Sequence, residues 1–230
     1  MTTSGVALGC NTGLARLVQA RPLLASAGAL GVVAVVALSE KRAALFGAAS
    51  RTLEGEVFGL FLPFVLVLAS RRALEPTRLD HAATPLARFG PSRRGVALGL
   101  VVASMIGAAL LAASSGALAA VVAHDPTAPA LTLDAASCAW IGALGGAAYA
   151  ALFALGSSFG ATGSGRWWAL AADFLLGGTS GVGALLAPRA HLQNLLGGEP
   201  PMLLGQSASA ACLVAMTIAF TVLALLRCPP

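Results

Sequence analysis

At 230 residues, 57% hydrophobic and only 10% charged, the chain is far too poor in charge for a soluble domain, where about a quarter of residues are charged. Its mean hydropathy of +0.85 points to the same class, a chain embedded in a membrane. The net charge of +5 does not indicate nucleic acid, because the basic residues border apolar runs and no basic face carries interleaved aromatics.

A spanning helix needs roughly 20 apolar residues. Six runs qualify as candidates: 22–39, 55–70, 95–123, 135–157, 167–187 and 206–226. Ahead of the first lies LARLVQARPLL (14–24), with apolar residues at roughly helical spacing and two arginines, Arg16 and Arg21; it reads either as a helix along the inner membrane surface or as a plain polar tail. The run 22–39 ends at Ala37-Leu38-Ser39, yet its polar lead-in is long and further spans follow, so it reads as a retained span rather than a cleaved signal. The second run is short, with Arg51, Glu54 and Glu56 just before it, and is expected to begin earlier, near Ala43. The third and fourth are rich in Ala, Gly and Ser, residues that let helix backbones approach closely in lipid. The fifth opens on Trp167 and Trp168 beside Arg166, where interfacial aromatics belong.

Orientation follows from the basic residues. With the N-terminus inside, Arg16, Arg21, Arg71, Arg72, Arg78, Arg88, Arg93, Arg94, Arg166 and Arg227 are cytoplasmic. That is ten of the fourteen Lys and Arg, and Lys41, Arg42, Arg51 and Arg189 face outward. Both termini are thus expected in the cytoplasm. No internal repeat and no long linker divides the chain, so residues 1–230 are expected to form a single transmembrane domain, all-α with six spanning helices.

Inside the apolar runs, polar groups are few. Asp173 sits seven residues into the fifth run, roughly 10 Å deep. A carboxylate at the membrane centre costs about 2.5–3.5 kcal/mol, so Asp173 must face a partner, a cavity or water. Either it lines a translocation path, or it bonds to Arg166 or a neighbouring helix. Tyr149 and Ser157 read as packing or surface groups. In segment 188–205, HLQNLL predicts a short helix ended by Gly197-Gly198 and Pro200-Pro201, with His191 as a candidate gate residue. Cys10, Cys138, Cys212 and Cys228 are scattered, without a CxxC pair, and read as small buried hydrophobes. No HExxH is present, and His81, His124 and His191 are isolated, so no metal site is expected. Gly178-Thr179-Ser180-Gly181 matches the GxSG of rhomboid-type intramembrane proteases. Its serine lacks a histidine in the sixth run, and His191 lies roughly 16 Å away along a continuous helix.

Much of the charge is gathered in loop 71–94, RRALEPTRLDHAATPLARFGPSRR. Pro76 suits the first turn of a helix, Thr77 through Thr84 allow two turns, and Pro85 is expected to end them. A short helix flanked by arginines is a docking element for a cytoplasmic partner; otherwise the loop only sets topology. LDHAATPLAR (79–88) resembles the stretch after the second span in ATP-binding cassette (ABC) exporter permeases of the type-2 class. FGLFLPFVLVLAS (58–70) resembles that family's second span, and residues 185–228 its last outer segment and sixth span. Glu75-Pro76-Thr77-Arg78 departs from the family's usual acidic residue and glycine before the leucine, and the third run is longer than usual.

The resemblance implies that Arg78, Leu79, Asp80, His81, Ala83, Thr84, Pro85 and Arg88 form a coupling helix seated in a groove of a separate ATPase subunit. Leu79 and Ala83 would bury apolar area there, while Asp80 with Arg78 or Arg88 would orient the contact. It also implies a bacterial inner-membrane exporter subunit, paired with a second permease copy or a related permease, and an outer segment around His191 that acts as a gate. The only lysine, Lys41, lies outside any GxxxxGK[ST] stretch, which excludes ATP hydrolysis by that motif in this chain. The expectation is a non-catalytic subunit with no cofactor of its own, ATP being held by the partner. The other reading is a standalone secondary transporter or an accessory membrane subunit.

Overall fold

In lipid every backbone N–H and C=O must find its partner within the chain, which turns long apolar runs into helices. The computed structural model describes residues 4–43, 48–74, 77–88, 90–125, 130–179 and 181–229. Among these every regular element is helical. In chain order they are α1 (Gly5–Leu17), α2 (Ala20–Ala43), α3 (Ala48–Arg51), a π-helical stretch (Thr52–Phe61) continuing into α4 (Leu62–Ala73), α5 (Leu79–Ala87), α6 (Arg93–Val122) and α7 (Leu131–Ser157). Then come α8 (Gly165–Gly177), a 3-10 turn (Val182–Leu186), α9 (Pro188–Leu195), a second 3-10 turn (Pro201–Leu203) and α10 (Gln206–Leu226).

Five helices are long and apolar enough to cross a membrane: Ala20–Ala43, Thr52–Ala73, Arg93–Val122, Leu131–Ser157 and Gln206–Leu226. They account for five of the six expected runs. The run at 167–187 is divided instead. α8 lasts 13 residues, about 20 Å, and stops at Gly178. The chain then makes a 3-10 turn and returns as α9, which packs on α7, α8 and α10. The second span begins at Thr52, and residues 44–47 before it lie outside the described set.

α6 is the central helix, because it carries small residues on two faces. One face meets antiparallel α7. A Cβ on Gly116 would sit 2.4 Å from the Cys138 carbonyl oxygen, one on Gly142 2.4 Å from that of Ala112, and one on Gly146 2.5 Å from that of Ala108. These positions recur every four residues on both helices, the small-residue ridge that drives helix association in lipid. The other face, Gly95, Gly99, Ala103 and Gly107, receives Gly5, Gly9, Gly13 and Leu17 of α1, running parallel to it. α1 therefore packs lengthwise against α6, and LARLVQARPLL is divided at Val18 and Gln19 between α1 and α2. The contact is reciprocal. A Cβ on Gly9 would lie 2.2 Å from the Val96 carbonyl oxygen, and one on Gly99 2.2 Å from that of Val6. The two partners are the same pentapeptide, GVALG, at 5–9 and 95–99, a short internal repeat where none was expected.

α5, the start of α1, the start of α6 and the end of α10 share one end of the bundle. Gly5 abuts Pro91 and Ser92, and Leu79 clusters with Val96, Ala224 and Cys228. At the opposite end Lys41 Nζ donates to the Val122 carbonyl 3.1 Å away, where α6 ends. From Arg21 to Lys41 along α2 is about 30 Å, the thickness of a hydrocarbon core. Two of the basic residues between α2 and the second span have partners here: Lys41 serves the carbonyl end of α6, and Arg51 Nε pairs with Glu40 Oε2 at 3.2 Å. α6, about 45 Å long, exceeds the core thickness, and its first turns are wrapped by α1, α5 and the end of α10. Large apolar side chains such as Leu24, Val35, Leu110, Leu175 and Ile218 remain exposed on the outside of the bundle.

Candidate functional site

Two places gather the polar residues. The first is α5. Arg78 is its N-cap in extended conformation, and its Nε donates to Asp80 Oδ1 at 3.1 Å. Thr84 Oγ1 donates to the Asp80 carbonyl at 2.7 Å. Apolar residues at i, i+3, i+4 and i+7 (Leu79, Ala82, Ala83, Leu86) form one stripe. That stripe turns inward: Leu79 and Ala83 are fully buried, and Leu79, Ala82, Ala83 and Leu86 pack with Leu74, Val96, Leu100 and Cys228. The expected outward docking face of Leu79 and Ala83 is thus corrected. The outward residues are His81, Pro85 and Arg88, with Thr84 half-buried. Pro85 lies inside the helix, which runs on to Ala87 instead of ending before it. Pro76, expected to start the helix, lies outside the described residues.

Cys228 reports on this docking. Burial, with Asp80 nearby, pushes its thiol up to about 11. Only the thiolate alkylates, so at pH 8 maleimide should modify Cys228 at least roughly two-hundredfold more slowly than an exposed thiol of ordinary pKa about 8.5. Leu79→Ala, which loosens α5, should raise that rate; mass spectrometry of the labelled peptide measures it.

The second place lies where α8, α9 and α10 meet α7. Asp173, almost wholly buried, accepts a hydrogen bond from Tyr149 Oη at 2.7 Å and from the backbone N–H of Arg189 at 3.2 Å. It therefore closes the open amide end of α9 from another helix. The Arg189 guanidinium lies 4.7 Å over the Phe174 ring, which packs on Phe64. Tyr149 is a packing residue, fully buried and stacked on Phe153, and not a surface group; it is also Asp173's partner. Ser157 is buried and donates to its own helix at Ala154. The signal for Tyr149 was present, since a buried phenol needs an acceptor and few carboxylates lie among the apolar runs. His191 Nδ1 is 3.1 Å from Ser209 Oγ, and its Nε2 is 3.2 Å from the Leu185 carbonyl. Asn194 Nδ2 donates to Ser209 Oγ and to the Leu204 carbonyl, both at 2.8 Å. His191, Asn194 and Ser209 thus pin α9 and its flanking loops to α10. α9 ends where expected, with Gly197 at φ +103°. Ser180 lies outside the described residues, and both ring nitrogens of His191 are engaged elsewhere than by a GxSG serine.

α8 joins the two places. At its start Arg166, 2% exposed, donates through Nε to the Gly163 carbonyl (2.9 Å) and through Nη2 to the Thr77 carbonyl (3.0 Å), in the lead-in to α5. Burial, with Arg71 nearby, pushes its guanidinium down to about 10. Two turns further on, the same helix presents Asp173 to α9. Among the described residues no three His, Cys, Asp or Glu side chains converge on a metal-sized space.

The class these features define is a helical membrane protein, by the length and apolarity of its helices. No family model, curated protein or solved structure matches the chain.

Proposed function

We propose that this chain is the membrane-spanning permease subunit of an ATP-driven exporter, and that a separate nucleotide-hydrolysing subunit docks at α5. One observation carries the reading. A short helix packs at one end of the bundle with His81, Pro85 and Arg88 facing outward, and its lead-in is hydrogen-bonded to α8, the helix that caps the short α9. Motion imposed on α5 has a rigid route to the segment at the far side. Packed helices move as units rather than deform. In this reading α5 is on the cytoplasmic face of a bacterial inner membrane, both termini are there, and a second permease copy or a related chain completes the path. The resemblance of residues 79–88 to the coupling stretch of type-2 ABC permeases supports the same assignment, and ATP belongs to the partner.

Purification of the intact complex from native membranes tests it. The expected result is a co-purifying ATPase whose yield falls at least tenfold in the His81→Glu/Arg88→Glu variant, with the thermal midpoint of the permease unchanged because both residues are exposed. Absence of any nucleotide-hydrolysing protein from the complex, or undiminished association of the double variant, would overturn the reading.

A further inference from the structure

A cleft of about 820 Å³ opens on the side of the bundle between the α1–α2 junction, α4 and α6. Its walls are apolar, among them Leu17, Ala25, Phe61, Val65, Leu68 and Leu110, and one end is marked by Arg21, Arg71 and Arg72. All three arginines are exposed, and among the described residues no carboxylate pairs with them. Arg71 and Arg72 occupy the last turn of α4, where the helix dipole favours positive charge. Arg21 has no such support. It is the second residue of α2, at the positive end of that helix, and its charge adds to the helix's own. Like charge gathered from two helices beside the N-terminus of α2 favours an anion there.

The shape of the cleft says which kind of anion. Along α2 its lining runs from Arg21 to Val32, about 17 Å. One leaflet of a hydrocarbon core is roughly 15 Å deep. We infer that the cleft holds one anionic phospholipid of the surrounding bilayer, its phosphate headgroup on Arg21, Arg71 and Arg72 and an acyl chain along the groove between α2, α4 and α6. Arginine's planar fork suits phosphate oxygens, and an acyl chain fills an apolar groove that water would wet at a cost. The lipid would also tie α1 and α2 to α4, across a gap that α2 leaves largely unpacked: only 17% of its spanning window is buried. This site is independent of any ATPase docking.

Native mass spectrometry of the delipidated full chain, titrated with phosphatidylglycerol and with phosphatidylcholine, tests the assignment. The intact chain should bind one phosphatidylglycerol with at least tenfold preference. Arg21→Ala/Arg71→Ala/Arg72→Ala should weaken that binding roughly a hundredfold, at about fivefold per arginine. Ala25→Trp, which fills the groove and leaves the arginines in place, should also abolish it. Equal binding of the two lipids, or undiminished phosphatidylglycerol binding in either variant, would overturn the site. Displacement of the lipid by low-millimolar inorganic phosphate would overturn it as well, since the site would then hold a free anion.

Discussion

Gly99→Leu is expected to strip α1 from α6 and to lower the thermal midpoint of the detergent-solubilised protein by about 10 °C. A side chain at Gly99 starts 2.2 Å from the Val6 carbonyl oxygen and 2.6 Å from the Cys10 nitrogen. Neither is the end of a flexible side chain that swings aside; both belong to the backbone of the facing helix. Overpacking typically costs about 1–3 kcal/mol, and a clash of backbone with backbone stands at the top of that range. Each kcal/mol is worth about 2–4 °C for a chain of this size. Gly28→Leu and Gly31→Leu are the controls, since a Cβ at either meets nothing within 4 Å, and they should shift the midpoint by under about 2 °C. Because Gly9 clashes with the same stretch of α6, Gly9→Leu should cost much less in the Gly99→Leu background than alone, the non-additivity of residues sharing one contact. A wild-type midpoint for Gly99→Leu, or full additivity of the pair, would show that α1 is not held by this crossing.

The residues involved also mark where the sequence is readable and where it is not. Spans are legible because the hydrocarbon thickness forces a minimum apolar length; the apolar run 206–226 coincides with α10. The break in 167–187 was hidden, since Gly177-Gly178 reads like the many packing glycines of the neighbouring runs. What distinguishes it is Asp173 a turn earlier, a carboxylate whose burial requires nearby donors such as the open amides of a helix start. The GVALG pair was in plain view at 5–9 and 95–99, but five residues are short for a repeat, and its meaning comes only from the i+4 extension to Gly13 and Ala103. The inward turn of Leu79 and Ala83 follows from elementary patterning, an apolar stripe beside a polar face. The family resemblance had directed that stripe to a partner. The three arginines of the cleft come from positions 21, 71 and 72, and no spacing rule brings them together; only the packing of α2 beside α4 does.

Asp173→Ala should loosen α9 selectively. The substitution leaves the Tyr149 hydroxyl and the Arg189 amide without their acceptor in a buried place, and each unsatisfied group costs about 1–3 kcal/mol. Removing a buried carboxylate relieves some desolvation, so the net loss should be about 2 kcal/mol. Asp173→Asn keeps one oxygen acceptor and should cost roughly half as much. In a double-mutant cycle, Tyr149→Phe should be nearly neutral on the Asp173→Ala background, giving a coupling of about 1 kcal/mol. The local readout is amide exchange at Arg189–His191 and trypsin cleavage after Arg189. Both should accelerate at least tenfold in Asp173→Ala while exchange in α6 and α7 stays as in the wild type. The Arg166 contacts to Gly163 and Thr77 lie two turns away, so Cys228 labelling beside α5 should not change. Unchanged exchange at Arg189 would refute the capping role. Faster Cys228 labelling in Asp173→Ala would instead show that α8 carries displacement from one end of the bundle to the other, the motion an exporter needs.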